Sequence, residues 1–437
     1  MKRSWWSCDG RGFRSEPPAK RPQPAALESD LPSRRSLLVG AALGAIAWAS
    51  NRSALAQVAF DPSSRDRGVL VVVFLRGGAD GLNIVVPYAE DAYYRSRPSL
   101  GIDRRSLVDL DGFFGLNPAL GPLRKHYEDG RLAILHAVGS GDQTRSHFEA
   151  MNAMERGLPD VRQGSASGWL ARHLSATEPA SPSPLRAVAF GSIMPDSLRG
   201  GTTAIAIESL QDFRLMIPKG AAAETIQARL RDLYRTGSDE MAIAGRETLD
   251  VLDTLNRLTP SEYRPSGGAQ YPDSDLGQGL RQVALLIRAG IGLEVAALDK
   301  GGWDTHVAQG ATAGWLTYLL EDLGRSLDAF ATDLGTAMKD VTVVVMTEFG
   351  RRVAENGGLG TDHGRASMMM VLGGGVLGGR VLGMWPGLEP DALEGPGDLP
   401  VTTDYRNVLS EVLQRAGKVD LGSTFPGLEA RPVGLFG

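Results

Sequence analysis

Three histidines stand in glycine-rich turns beside carboxylates or hydroxyls: His147 in Arg145-Ser146-His147, His306 in Asp304-Thr305-His306, and His363 in Asp362-His363. Imidazole with carboxylate suits zinc or manganese, and carboxylate-rich oxygen sites suit manganese, magnesium or calcium. Asp80 and Glu348 would add anionic oxygens to such a site. One Asp-x-His pair taken alone reads as well as a carboxylate–histidine hydrogen bond that pins a loop. As a set, these residues suit metal-assisted ester hydrolysis. Ser146 is the candidate nucleophile, because it stands where a loop becomes a helix and backbone N–H groups there attract an anion. Arg145 could clamp a phosphate or sulfate bidentately. His147 could donate to a nonbridging oxygen or brace the turn. The plainer reading makes Ser146 an N-cap, with Glu149 completing a capping box. Of the other histidines, His136 falls within an apolar run and reads as a satisfied core residue. His126 and His173 read as surface or boundary positions on amphipathic helices.

The elements that must position these groups are strands. Val69 to Leu75 is a continuous β-branched run that ends in Arg76-Gly77-Gly78-Ala79-Asp80-Gly81. A run apolar on both faces is typical of a central parallel strand. Leu132 to Val138, Leu185 to Phe190, Gly292 to Leu298, Val341 to Met346 and Met368 to Leu372 read as further strands. Helices are expected from Pro118 to Asp129, from about Ser146 to Arg156, from Ala311 to Met338 and from Asp404 to Ala416. Residues 221–289 read as mainly helical, broken by a Pro/Gly-rich loop near Tyr263 to Pro272. Alternating strands and helices predict an α/β fold, a mostly parallel central sheet with helices on both faces. Ligands bind such sheets at the C-terminal ends of the strands. Asp80, the Arg145-Ser146-His147 turn, Asp304 with His306, and Glu348 each follow a separate apolar strand, so one site at one sheet edge is expected. Other chemistries lack their signatures: no G-x-S-x-G elbow follows a strand, no G-x-G-x-x-G opens a helix after the first strand, and Gly373-Gly374-Gly375 lacks a Walker lysine.

Arg34-Arg35 precedes an uncharged apolar run from Leu37 to Ala49, and Ala54-Leu55-Ala56 follows as a cleavage site. That order marks a secretory signal of the twin-arginine type, which predicts export to the periplasm through the twin-arginine machinery. The run is shorter than the roughly 20 residues that span a bilayer. Residues 1–56 are therefore read as a disordered leader plus signal, with the segment before Pro32 either a long leader or the product of a start codon placed too far upstream. Residues 57–437 are read as a single domain with a helical insertion near 219–290. The only cysteine is Cys8, so neither disulfides nor thiolate metal sites can serve the mature chain. Residues 57–437 carry 37 Lys/Arg and 47 Asp/Glu, a formal charge of 37 − 47 = −10, which argues against a nucleic-acid partner. No stable membrane span is expected after the signal.

Leu75-Arg76-Gly77-Gly78-Ala79-Asp80-Gly81, Arg145-Ser146-His147-Phe148-Glu149-Ala150, Gly302-Trp303-Asp304-Thr305-His306, Thr347-Glu348-Phe349-Gly350-Arg351 and Gly360-Thr361-Asp362-His363-Gly364 occur in that order. Together with Thr402-Thr403-Asp404-Tyr405-Arg406 and Phe425-Pro426-Gly427, they resemble the exported bacterial domain-of-unknown-function family numbered 1501. That family looks like a remote branch of the alkaline phosphatase and sulfatase superfamily. The resemblance implies an alkaline phosphatase/sulfatase-like core with a divalent metal (zinc, manganese or calcium) and an anionic phosphate or sulfate ester as substrate. By position, Asp80 resembles the first metal-ligand aspartate, Ser146 the nucleophile, Asp304 and His306 the Asp/His ligand pair, and His363 the last ligand histidine. Glu348 falls where an aspartate ligand is expected and Phe349 where a histidine often follows. The Phe349 departure leaves a second metal short of a ligand unless Asp362 compensates. The alternative function is a noncatalytic cell-envelope protein that keeps the fold.

Overall fold

The computed structural model describes residues 68–437 except 161, 163, 178, 180–182, 201–203, 212, 214–222, 259 and 418. The expected leader and twin-arginine signal lie outside the described residues. A nine-stranded sheet forms the centre of the chain. Its strands are β1 (Val69–Leu75), β2 (Leu132–Gly139), β3 (Ala187–Phe190), β4 (Ile205–Ile207), β5 (Val295–Lys300), β6 (Val341–Met346), β7 (Ser367–Gly373), β8 (Arg380–Leu382) and β9 (Thr403–Asp404). The spatial order is β8-β2-β7-β6-β1-β5-β3-β4, with β9 also pairing on β2. β1 runs parallel to both β5 and β6, and β6 is buried along its whole length. Both strands flanking the middle of the sheet are thus apolar on two faces because both faces are covered.

β7 is the antiparallel member, pairing with β2 and β6 in opposite sense. Its direction follows from what precedes it. No helix lies between β6 and β7; an antiparallel hairpin of Arg351–Glu355 and Thr361–His363 fills that connection instead. A parallel pair would need a crossover connection, usually a helix. β7 therefore starts at the edge where β1, β2, β5 and β6 end.

Alternate residues of β1 feed two separate cores. Val71, Val73 and Leu75 join one; Leu70, Val72 and Phe74 join the other. Among the described residues, seven longer helices accompany the sheet: α1 (His147–Glu155), α2 (Trp169–Ala176), α3 (Ala223–Tyr234), α4 (Glu240–Leu258), α5 (Asp275–Arg288), α6 (Trp315–Leu334) and α7 (Tyr405–Ala416). α5 and α6 cover one face through Leu276, Leu280 and Val283, and Leu316, Leu323 and Phe330. α2 and α7 cover the other through Trp169 and Leu174, and Val408 and Leu413. The expected α/β layering with helices on both faces is therefore the observed one. α5 begins where the Ser274 hydroxyl accepts from Gly277 N at 3.0 Å, and α7 where the Asp404 carboxylate accepts from Arg406 N at 2.9 Å.

Some elements differ from expectation. Residues 118–129 are not one α-helix but a 3-10 segment, Pro118–Leu123, followed by a short α-helix, Arg124–Glu128. Pro122 inside the segment has no N–H to give and crowds the preceding turn. α6 is bounded by Gly314 and Gly335, so it is shorter at both ends than its apolar pattern suggests. Among the described residues, no helix is long and apolar enough to cross a membrane.

Candidate metal centre

Because β1, β2, β5 and β6 are parallel, the loops that follow them meet at one edge. The β1 loop comes closest to the others. A Cβ on Gly77 would lie 2.5 Å from Asp304 N, and one on Gly78 would lie 2.4 Å from the Phe349 ring. Both glycines have positive φ, +124° and +69°. Only glycine admits this approach without strain.

Four side chains converge there. His147, from the start of α1, donates Nδ1–H to Glu348 Oε1 at 2.9 Å, and its Nε2 faces Asp304 Oδ2 at 3.4 Å. His363, at the end of the hairpin, donates Nδ1–H to the Arg145 carbonyl at 2.9 Å and turns Nε2 to Asp304 Oδ1 at 3.0 Å. His306 Nε2 lies 3.1 Å from the same Oδ1 and 2.9 Å from His363 Nε2, while its Nδ1 faces Asp362 Oδ1 at 3.4 Å. His147 Nε2 is buried without a hydrogen-bond partner. One donor atom each from His147, Asp304 and His363 lie within 4.8 Å of one another.

The outer contacts fix the tautomers. A carbonyl and a carboxylate can only accept, so each Nδ1 carries the proton and each Nε2 presents its lone pair. Two such lone pairs cannot face each other at 2.9 Å unless a cation or a proton lies between them. Donors around one tetrahedral zinc stand roughly 3.3 Å apart at Zn–N distances of about 2.0 Å. The spacings of 2.9 to 3.1 Å among His306 Nε2, His363 Nε2 and Asp304 Oδ1 come near that requirement, and His147 Nε2 stands 3.4 Å from the other Asp304 oxygen, Oδ2. The residues present therefore fit a divalent ion, with Glu348, Asp362 and the Arg145 carbonyl as the outer partners that orient ligand histidines.

Electrostatics agree. Burial opposes ionisation of Asp304, but its contacts with His363 and with the Arg351 guanidinium hold its carboxyl well below the usual range. Burial likewise opposes Glu348, and the His147 hydrogen bond with the Glu348, Gly77 and Gly78 amides overcomes it. The Glu348 hydrogen bond raises the His147 pKa against burial. Burial lowers that of His363, aided by the Arg351 charge. Phe349, where a ligand histidine was expected from the resemblance, packs its ring 4.9 Å from His147 and 4.8 Å from His363 and supplies a wall.

Several expected roles change. Asp80 does not reach the cluster: the fully buried Arg97 guanidinium bonds both its oxygens, at 2.6 and 2.9 Å, and Gln309 Nε2 adds a third bond at 2.6 Å. Its lone pairs are spent on a guanidinium, which leaves no place for a metal. Asp80 instead acts from behind, since Gln309 Oε1 accepts from Thr305 Oγ1 at 2.6 Å and Thr361 Oγ1 at 2.8 Å, the neighbours of Asp304, His306 and Asp362. Glu348 braces His147, and Asp362 braces His306 while accepting from Asn356 at 2.9 Å. Arg145 is no free clamp, because its guanidinium is paired with the buried Asp398 carboxylate, 2.7 Å from Nε. Its backbone has φ +56°, a left-handed conformation that presents the carbonyl to His363. Ser146 is the N-cap of α1, yet its side chain makes no capping bond, so the capping box with Glu149 does not form.

His136 is a satisfied core residue: Nε2–H donates to Val85 O at 2.9 Å and Nδ1 accepts from Ala137 N at 3.0 Å. His126 and His173 are buried rather than at the surface; His126 Nε2 meets Asp328 Oδ1 at 2.9 Å. Sequence reasoning missed Arg351, which is fully buried and donates to Gly78 O, Thr361 O, Trp303 O and Asp304 Oδ1, tying three loops together. Its place beside Glu348 was the available signal. Arg97, Gln309 and Asp398 carried none.

A mostly parallel α/β sheet with a histidine–carboxylate cluster at the C-terminal ends of its strands is the class that this fold and site define. Within it, the chain belongs to the family described as "Protein of unknown function (DUF1501)", whose match spans residues 133–436. No curated protein matches the sequence. Among solved structures, the chain is similar to Ps i-CgsB in complex with k-i-k-neocarrahexaose, at 9% identity and TM-score 0.33, covering 83% of this chain and 75% of that one. It is also similar to the C-terminal periplasmic domain of EcEptC from Escherichia coli in complex with Zn, at 12% identity and TM-score 0.28, covering 73% and 77%. A third is BT1596, a 2-O GAG sulfatase, at 11% identity and TM-score 0.28, covering 84% and 76%.

Proposed function

We propose that this chain is a metal-dependent hydrolase of phosphate or sulfate esters, exported to the periplasm by its Arg34-Arg35 signal. The observation that carries the reading is the pair of Nε2 atoms on His306 and His363 turned on each other and on Asp304 Oδ1, with His147 Nε2 facing Asp304 Oδ2. These four residues would hold the ion. Three imidazoles and one carboxylate favour zinc over calcium, which takes oxygen ligands. A divalent ion in this place supplies Lewis acidity toward an ester oxygen. Arg351 and the Asp80–Arg97–Gln309 network hold the ligand loops in register. Ser146, between the residue that orients His363 and the ligand His147, keeps its hydroxyl free of the helix cap. Its Oγ would release its proton to water and bond to phosphorus or sulfur as the bond to the leaving alcohol oxygen breaks. That oxygen would depart with the electron pair and take a proton from water; a second water would then bond to phosphorus or sulfur, the bond to Oγ would break, and Oγ would take back a proton as phosphate or sulfate leaves.

A second reading has its own observation. The guanidiniums beside the cluster are already committed: Arg145 to Asp398, Arg351 to Asp304 and Arg352 to Asp362 at 3.5 Å. With no uncommitted guanidinium among them to take an anion's oxygens, a noncatalytic envelope protein with a structural metal has support. Elemental analysis and a broad ester screen on wild type and Ser146→Ala separate the two. The hydrolase reading expects bound metal in both proteins and turnover only in wild type. A metal-containing wild type that turns over no ester would refute it, and full activity in Ser146→Ala would remove Ser146 as nucleophile.

A further inference from the structure

Of the ten large hydrophobic side chains exposed among the described residues, three belong to the segments that build the metal centre and two to the start of the helix that follows the Asp304–His306 loop. Phe148 follows His147, Val307 follows His306, and Leu359 caps the hairpin that carries His363; Trp315 and Tyr318 open α6. The segments of four of them are neighbours, because the backbone stitches them together. Gln309 N donates to Leu359 O at 2.9 Å, and Leu316 N donates to Gln309 O at 2.9 Å. Trp315 Nε1 donates to Gly302 O at 2.8 Å, and its ring stacks on Tyr318 at 5.4 Å. Asn356 ties the Leu359 turn to the His306 carbonyl at 3.1 Å. The patch therefore rides on the loop that supplies Asp304 and His306, and these two ligands are the part of the cluster open to solvent, 46% and 39% exposed.

Leu359 is held outward in a left-handed conformation, φ +58°, which disfavours a bulky side chain. Scattered exposed hydrophobics need no explanation, whereas a group gathered on neighbouring segments beside the exposed Asp304 and His306 points to what the site receives. We propose that the molecule received here is amphiphilic: an ester whose anionic head meets the metal centre and whose alkyl or aryl body lies on Val307, Leu359, Trp315 and Tyr318. The anionic head rests on the hydrolase reading; the apolar body does not. Valine and leucine beside the aromatics offer no hydrogen bonds, which suits a hydrocarbon body better than a hydroxylated one. The formal charge of −10 over residues 57–437 sets the chain against an anionic membrane surface and favours single amphiphile molecules.

The test is calorimetric titration of the mature protein with two homologous series, propyl- to octylphosphonate and 1-propanol to 1-octanol, below their aggregation limits. A full methylene burial corresponds to about fourfold in affinity, so a half-covered patch should give about twofold per methylene. The double variant V307S/L359N should flatten both series while metal content and circular dichroism stay unchanged, since asparagine suits the left-handed position. Affinity independent of chain length in wild type, or a slope that survives in the variant, overturns the proposal. A slope among the alkanols with no phosphonate binding at all retains the apolar patch and refutes the anionic-ester reading.

Discussion

Replacing Glu348 by Gln separates a brace from a ligand. Glu348 Oε1 accepts from His147 Nδ1 at 2.9 Å and from Gly77 N at 2.8 Å, and Oε2 lies 3.0 Å from Thr347 Oγ1. Glutamine has the same shape. Its carbonyl oxygen can keep both bonds of Oε1, and its amide nitrogen can donate to Thr347 Oγ1, whose own proton has Leu75 O at 2.7 Å. The Glu348 and Gly78 amides that also donate to the carboxylate are left with a single acceptor oxygen to share, so folding should lose about 1–3 kcal/mol. What disappears is the negative charge whose hydrogen bond raises the His147 pKa, and with it much of the basicity of Nε2. Loss of such an outer carboxylate lowers metal affinity about 10–100-fold, or about 1.4–2.7 kcal/mol. His363→Ala deletes a donor atom and should lose considerably more. The assay is competition for zinc against a chromophoric chelator, with urea denaturation alongside. Unchanged affinity in Glu348→Gln, or a loss as complete as in His363→Ala, would refute the assignment of Glu348 as a brace.

The fold was legible where the physics is local and repetitive. Val69 to Leu75 and Val341 to Met346 are apolar on both faces, and they pair in parallel, Val71 with Val343 and Val73 with Val345. With β5 parallel to β1, and β2 parallel to β6 across β7, the loops bearing His147, Asp304, His306 and Glu348 meet at one edge. The antiparallel sense of β7 needed knowledge of the hairpin before it, whose polar, glycine-rich residues read as loop. The site was legible in its histidines and in Asp304. It was illegible where a charged residue takes a partner from far along the chain: Arg145 meets Asp398 253 residues later, and Asp80 meets Gln309 229 residues later. No periodicity or spacing encodes those pairings, and a carboxylate after a strand looks the same whether it faces a metal or a guanidinium. Arg97 decides the matter for Asp80, because a buried charge must be matched by a partner.

Two further outcomes are expected. Lysine at both Arg34 and Arg35 should leave the precursor in the cytoplasm, as seen by cell fractionation and immunoblotting; mature protein in the periplasm, cleaved near Ala56, would refute the twin-arginine proposal. His136 should make stability depend on acid. Burial lowers its pKa from 6.5 to about 4, and the ring is satisfied as a neutral acceptor and donor between Ala137 N and Val85 O. The unfolded chain takes up a proton near pH 6.5 while the folded one does not until about pH 4. The stabilisation is therefore full above pH 6.5 and is lost as pH falls toward 4, by ~3 kcal/mol for a fully buried ring. Urea denaturation at pH 7.5 and 4.5 should show that loss in wild type over and above any in His136→Gln, whose amide can still donate to Val85 O. Equal losses in the two proteins would mean that His136 is already protonated in the folded state, and that the sheet tolerates a charge between β2 and the Val85 carbonyl that its burial argues against.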